Sequence, residues 1–311
     1  MPLFSQTPLL QSRLSEHRPP VWFKMDCFQP TGSFKIRGMD NFVHQALKVH
    51  HKPHFVASSG GNAGFSLAYA AARHKCPVTV VVPGSTPKRM QDIISGMGAK
   101  VIVHGKVWNE ADELARALSQ EPDSLYVSPF DHQWLWEGHA SIVDELVAQY
   151  AALELDFPRK IVLSVGGGGL FSGVMRGLAK HKLLDQVSVV GAETEGAASF
   201  ALALAEDRLG RLDRISTIAG SLGAPQIAEK AFEWMQMGQV ESHVISDQQA
   251  VAACRSFLTE FNVVVEPACG AALSYVYRPD FAEEGVLAIA GGGVAWSIDQ
   301  QMQFEGQFQQ A

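Results

Sequence analysis

Short apolar runs recur along this chain, several ending in a glycine-rich turn and resuming as a segment with helical spacing. His54–Ala57 reads as a strand that leads through Ser58-Ser59-Gly60-Gly61-Asn62-Ala63-Gly64 into an Ala-rich helix, Phe65–Arg73. Val78–Val82 stops at Pro83-Gly84 before a helix over Pro87–Gly96, and Val101–His104 precedes a helix over Ala111–Leu118. Val21–Met25 and Leu125–Val127 are further short strands, with helices predicted up to about Lys48 and over Ile142–Tyr150. In the second half Lys160–Val165 runs through Gly166-Gly167-Gly168-Gly169 into a helix over Leu170–Lys180. Val187–Ala192, a helix over Ala224–Met235, the strand His243–Ile245 and a helix capped by Asp247 and running to about Phe261 follow. Gly285–Ala290 is the last strand, entering Gly291-Gly292-Gly293, and the Gln-rich tail from 300 to 311 is expected to be a loose helix or a frayed end. β-Branched runs this short, alternating with helices, predict an α/β chain whose parallel sheets are covered on both faces. Ligands of such sheets collect at the carboxyl ends of the strands, where the glycine loops lie.

Composition narrows the function. A chain of 311 residues, 47% hydrophobic and 18% charged, can bury a large core in one large domain or two medium ones. A net charge of −7 without any Lys/Arg run argues against nucleic acid as partner. The longest apolar runs are too short for a membrane span, and the N-terminus shows no export signal, so a cytoplasmic location is expected. Cys27, Cys76, Cys254 and Cys269 are scattered without metal-ligand spacing, which predicts reduced, mostly buried thiols. His44, His50, His51 and His54 straddle a helix end and a Pro-containing loop, and are expected to be a solvated group.

Three stretches point to chemistry. Lys35 lies in Pro30-Thr31-Gly32-Ser33-Phe34-Lys35-Ile36-Arg37-Gly38, at the entrance of a predicted helix. The helix dipole disfavours an ammonium there, and a lysine that condenses with an aldehyde escapes that penalty. The plainer alternative is a surface lysine whose stem lies along the first turn. The four glycines 166–169 present bare N–H groups at a helix N-terminus, a phosphate cradle that is neither a P-loop nor the spaced dinucleotide fingerprint. Close helix–strand packing is the alternative, which would ask for one or two glycines. Ser58–Gly64 is a similar device, suited to a carboxylate with Asn62 free to bond a phenolate oxygen, or else an N-capped turn. One lysine, one phosphate cradle and one carboxylate cradle together are what pyridoxal phosphate and an amino acid require.

The motifs PTGSFKIRG, SSGGNAG, SPFD, WEGH, SVGGGGL, ETEGAASF and VEPACGAAL, in that order between Thr7 and Gly293, resemble the serine/threonine dehydratase branch of fold-type II pyridoxal-phosphate enzymes. The likeness is to the short L-serine dehydratases (L-serine ammonia-lyases) without a regulatory domain. It implies a tryptophan synthase β-like architecture, two open, mostly parallel sheets flanked by helices, with the cofactor in the cleft between domains. Residues 1–32 and 138–311 would form the large cofactor-binding domain, and 33–137 a small domain inserted in it. Lys35 would carry the cofactor and then remove the substrate Cα proton. Phe34 would pack on one face of the pyridine ring, and Asn62 would bond its 3′ oxygen. Ser59, Gly60, Gly61 and Asn62 would bind substrate, the first three through its carboxylate. Gly166, Gly167, Gly168, Gly169 and Leu170 would bind the phosphate, with Pro129 near the cofactor. The resemblance also implies a monovalent cation, such as K+, at Glu193 with backbone carbonyls near Ala197, Ser199, Leu222 and Ala224, and a homodimer.

Two positions depart from the family pattern. Ala290 stands where Ser, Cys or Thr usually meets the pyridine nitrogen. Gly60 stands where the more active mammalian-type enzymes have alanine and related forms have glycine, which predicts extra room that loosens the substrate or admits a bulkier one. The expected reaction is β-elimination of L-serine, and of L-threonine, to pyruvate or 2-oxobutanoate and ammonia. Alternatives are racemisation, with Ser221 as the second acid/base, dehydration of a bulkier β-hydroxy amino acid such as phenylserine, and amino-acid binding without catalysis.

Overall fold

The computed structural model describes residues 1–13 and 20–308. Six strands form one sheet: β1 (Leu9–Gln11), β2 (Val21–Lys24), β7 (Lys160–Ser164), β8 (Ser188–Thr194), β9 (Gln239–Ile245) and β10 (Val286–Ile289), in the order β1-β2-β10-β7-β8-β9. Only β1 pairs antiparallel in it. A second, fully parallel sheet has the order β5-β4-β3-β6, from β3 (His54–Ala57), β4 (Val78–Val82), β5 (Lys100–Val103) and β6 (Ser124–Tyr126). Every residue of β4, Val-Thr-Val-Val-Val, is buried, as a central parallel strand covered on both faces must be. The helices are α1 (Lys35–Val49), α2 (Asn62–Arg73), α3 (Lys88–Gly96), α4 (Trp108–Leu118), α5 (Gln133–Ala152) and α6 (Gly169–Lys180). They continue with α7 (Ser199–Glu206), α8 (Glu229–Met235), α9 (Asp247–Phe261), α10 (Pro267–Tyr277) and α11 (Ile298–Phe308). Residues 309–311 of the expected loose tail lie outside the described residues.

Most of the elements read from periodicity are present, and the differences have local causes. The helix expected from Ala224 starts only at Glu229, because Ala224 N–H turns back to Leu222 O and Ala228 N–H is drawn to Gly167 O at 3.0 Å. Ser246, not Asp247, caps α9: its hydroxyl accepts from Gln249 N–H while the Gln249 side chain bonds Ser246 N–H. Asp247 instead accepts from Thr217 and from Ile218 N–H. Helix α10 gave no periodic signal because every residue from Pro267 to Val276 is buried, so no polar face marks the turns.

Two packing devices set the site. Helix α1 presents Ile36, Met39, Phe42, Val43 and Ala46 to the core. Arg37, on the same first turn, is wholly buried and binds Asp26 through Nε and Nη2 (2.6 and 2.8 Å) and Glu145 through Nη1 and Nη2 (2.6 and 2.9 Å). Lys24 closes this balanced quartet on Glu145 at 2.6 Å. Glycines also bring α6 against α5, since a Cβ at Gly173 would lie 2.3 Å from His139 Cβ and one at Gly177 2.6 Å from Val143 Cβ.

Candidate active site

Phe34 and Lys35 open α1, and an isolated bridge between Ser33 and Gly292 ties that entrance to the loop after β10. Phe34 lies over Gly291 and edge-on to His139, with ring centroids 5.1 Å apart. Lys35 Nζ donates to Pro129 O at 2.7 Å. The amine is enclosed well enough that desolvation lowers its pKa to about 8, with Glu266 opposing the shift. The solvated-lysine alternative does not describe this side chain.

Asn62, the first residue of α2, is 6% exposed and has three neighbours. Its Oδ1 accepts from Val294 N–H at 2.9 Å, while Nδ2 donates to Glu266 Oε1 at 2.9 Å and lies 3.4 Å from Ser221 Oγ. Ser59 Oγ accepts from Gly61 N–H at 3.4 Å. The space expected beside Gly60 is not free, because a Cβ there would meet Thr86 Cγ2 at 2.6 Å and Val82 Cγ1 at 3.0 Å. The open space is at Gly61, where a Cβ would meet nothing within 4 Å. The expectation of extra room at Gly60 is therefore corrected: Thr86 occupies that direction.

The loop 166–169 ends β7 and enters α6, and the N–H groups of residues 166 to 170 donate to no backbone acceptor among the described residues. Gly168 has φ +88°, left-handed, where a side chain is strained. All four glycines are also closely packed, Gly166 the least tightly. A Cβ would come within 3.0 Å of Ser221 O at Gly166, 2.3 Å of the Phe130 ring at Gly167, 2.5 Å of Ala231 Cβ at Gly168 and 2.8 Å of Phe130 O at Gly169. Packing thus asks for four glycines rather than one or two, and the same close approach leaves the amides bare. Leu170 is 5% exposed in the adjoining core. Ser221 links this loop to Asn62, and Lys35 reaches Pro129 beside the Phe130 that packs on the loop, so the structure brings Lys35, Phe34, Pro129, Asn62 and the glycine loop into one neighbourhood. Ala290 is fully buried in the apolar cluster and brings no polar atom to it.

Glu193 lies near the end of β8. Its two carboxylate oxygens accept from Phe200 and Ala201 N–H, both at 2.8 Å, at the N-terminus of α7. Burial still raises its pKa to about 8, and no cationic side chain offsets the shift. Ala197, Ser199, Leu222 and Ala224 are all buried, and Ser199 Oγ has no hydrogen-bond partner among the described residues. Among the described residues no group of three His, Cys, Asp or Glu is arranged to hold a metal. The four histidines expected to be a solvated group do not all stay so: His54 bonds Thr79 and Ser124.

Two residues with no role in the sequence reading belong to the site. Glu266 is 5% exposed, at the head of α10, and burial raises its pKa against the pull of Ser221, Asn62 and Lys35. An acid directly before proline in an otherwise apolar run was the available signal. His139 supports Phe34, and burial keeps its imidazole neutral, its pKa well below the usual histidine range.

A family model described as pyridoxal-phosphate dependent enzyme matches residues 1–292. The chain is 39% identical over 320 aligned positions to the catabolic L-serine/threonine dehydratase of Saccharomyces cerevisiae, covering 95% of this chain and 89% of that protein. It is 42% identical to a human protein named serine dehydratase-like, covering 89% of this chain and 83% of that one. Among solved structures, an L-serine ammonia-lyase from the fungus Rhizomucor miehei superposes with a TM-score of 0.90 at 31% identity, over 98% of both chains.

Proposed function

The chain belongs to the pyridoxal-phosphate-dependent enzymes, and from that premise we propose that it converts L-serine to pyruvate and ammonia by β-elimination, with L-threonine, giving 2-oxobutanoate, as a second substrate. The observation that carries this reading is the Lys35 amine, enclosed and poised near neutrality beside a loop of unbonded amides. The residues present fit the cofactor. Bare N–H groups on the α6 dipole suit a phosphate dianion, Asn62 offers a donor for the ring oxygen, and Phe34 offers a flat face. When bound, pyridoxal phosphate delocalises the electron pair left at the substrate Cα.

The protein's part is orientation and proton handling. The N–H groups of Gly60 and Gly61 with the Ser59 hydroxyl hold the substrate carboxylate, which fixes the Cα–H bond towards Lys35. Lys35 Nζ, held by Pro129 O, accepts that proton; a pKa near the working pH lets it do so without being locked as an ammonium. One methyl group is weakly discriminated by such a site, which favours threonine as a second substrate. Ala290 offers no hydrogen bond to the ring nitrogen, so the chain leaves that atom without a side-chain partner there.

The finer features of the reading are these. A monovalent cation, K+, sits by Glu193: a buried carboxylate without a cationic side chain and the unpartnered Ser199 Oγ support it. Residues 33–137 form a small domain inserted between 1–32 and 138–311, with α5 running across the second junction. The enzyme works as a homodimer in the cytoplasm.

Purified protein supplied with pyridoxal phosphate should show a visible absorption band that borohydride abolishes, and should release pyruvate from L-serine. Lys35→Ala should lose both. A protein with neither band nor keto acid product would end the proposal. The Ser221 hydroxyl beside Asn62 is the one observation favouring racemisation as a second reading, and chiral analysis of serine recovered from a partial reaction separates the two.

A further inference from the structure

We propose that Glu266 is a positioning residue for this reaction: from the head of α10 it holds the Asn62 carboxamide with Nδ2, not Oδ1, turned towards the cofactor. The inference rests on the reading above of Asn62 as the donor to the ring oxygen. A carboxamide has two ends of nearly the same shape, and its neighbours decide which way round it sits. Here both neighbours agree. Val294 N–H can only donate, and it meets Oδ1 at 2.9 Å; Glu266 Oε1 is the acceptor for Nδ2, at 2.9 Å, and remains one whether the carboxyl is ionised or carries a proton on Oε2. A flipped amide would set donor against donor and acceptor against acceptor. In the observed orientation Nδ2 directs its second hydrogen at Ser221 Oγ, 3.4 Å away.

The fold makes specific room for this carboxyl. Gly293, with φ +130°, leaves its place clear, since a Cβ there would lie 2.0 Å from Glu266 Cδ. Pro267 begins α10, which leaves Glu266 extended (φ −83°, ψ 158°). As a packing residue Glu266 would be a poor choice, because burying a carboxyl carries a desolvation cost that an apolar side chain avoids, even with Ser221 and the Ala295 N–H beside it. The contact also joins two sheets: Asn62 follows β3 of the four-stranded sheet, while Glu266 and Val294 belong to the body of the six-stranded one. Glu266 thus sets both the orientation and the location of the donor.

The test is the equilibrium affinity of the apoprotein for pyridoxal phosphate, by absorbance titration, in the parent, Glu266→Leu, Asn62→Ala and the double variant. Each single variant should bind at least about tenfold more weakly, and the double variant should match Asn62→Ala to within about twofold, because the two residues act as one unit. Glu266→Gln keeps an acceptor oxygen for Nδ2 and should stay within about threefold of the parent. Losses that multiply in the double variant would show that Glu266 acts independently of Asn62 and overturn the proposal. A Glu266→Gln protein as weak as Glu266→Leu would overturn it too, since charge alone would then be the requirement. Circular dichroism and melting confirm that each variant is folded, and if Glu266→Leu is not, the Gln comparison decides alone. A parent protein that takes up no pyridoxal phosphate would instead sink the proposed function, so the two failures are told apart.

Discussion

Lys35 has a pKa near 8, against 10.5 for an ordinary lysine, because its amine is desolvated. The lowered value means that, between those pH values, the folded apoprotein binds fewer protons at this residue than the unfolded chain does. Its contribution to stability therefore rises with pH across that window. The neutral amine is the form that reacts with an aldehyde. The rate at which the apoprotein captures pyridoxal phosphate should climb about tenfold per pH unit below 8 and flatten above it. A rate still climbing near 10 would reveal an ordinary solvated amine. The neighbouring glycines make a second prediction. Gly60→Ala should lower stability by about 1–3 kcal/mol, since its Cβ runs into Thr86 and Val82. Gly61→Ala should leave the melting temperature nearly unchanged and raise the KM for serine, since its Cβ enters open space at the substrate's place. The opposite pattern in melting and kinetics would show that the substrate's room is at Gly60.

At the scale of elements, α1 must be held firmly for its first residue to aim an amine. The buried Arg37 clamp does that, joining α1 to α5 through Glu145 and to the turn after β2 through Asp26. Arg37→Met removes one member and leaves two carboxylates of the quartet without their main partner, Asp26 fully buried and Glu145 largely so. The loss should be about 3–5 kcal/mol, read by urea denaturation of the apoprotein. A loss under about 1 kcal/mol would show the clamp to be no stronger than a surface ion pair. The glycine loop shows how far one element can be read from sequence. Its backbone amides at a helix entrance follow from four consecutive glycines after a β-branched strand. That each glycine is also pressed against Phe130, Ser221 or Ala231 could not be read, because those partners lie 37 or more residues away along the chain.

For the whole molecule, Glu193 ties β8 to the start of α7 by accepting from Phe200 and Ala201 N–H, and the proposed cation would add to that tie. Replacing a bulky organic cation with K+ at roughly 100-fold excess over its dissociation constant should raise the melting temperature by about 5 °C. Glu193→Gln should abolish that increment, and an equal rise in the variant would place the effect elsewhere. Strand and helix types were legible for most of the chain because burial on one face or two leaves a period in the residues, as in β4 and α1. The short edge strand β1, the short α7 and the wholly buried α10 were not, since three residues, eight residues or an all-apolar turn leave little or no period to read. The sequence alone determined the alternation of strands and helices, the placement of Lys35 at a helix entrance and the glycine loops, because each rests on neighbours within a few residues. Only the tertiary structure decided that Glu266 meets Asn62, that Thr86 fills the space beside Gly60, and that Arg37 bridges Asp26 and Glu145. Those contacts join residues far apart along the chain, and local propensity carries no record of them.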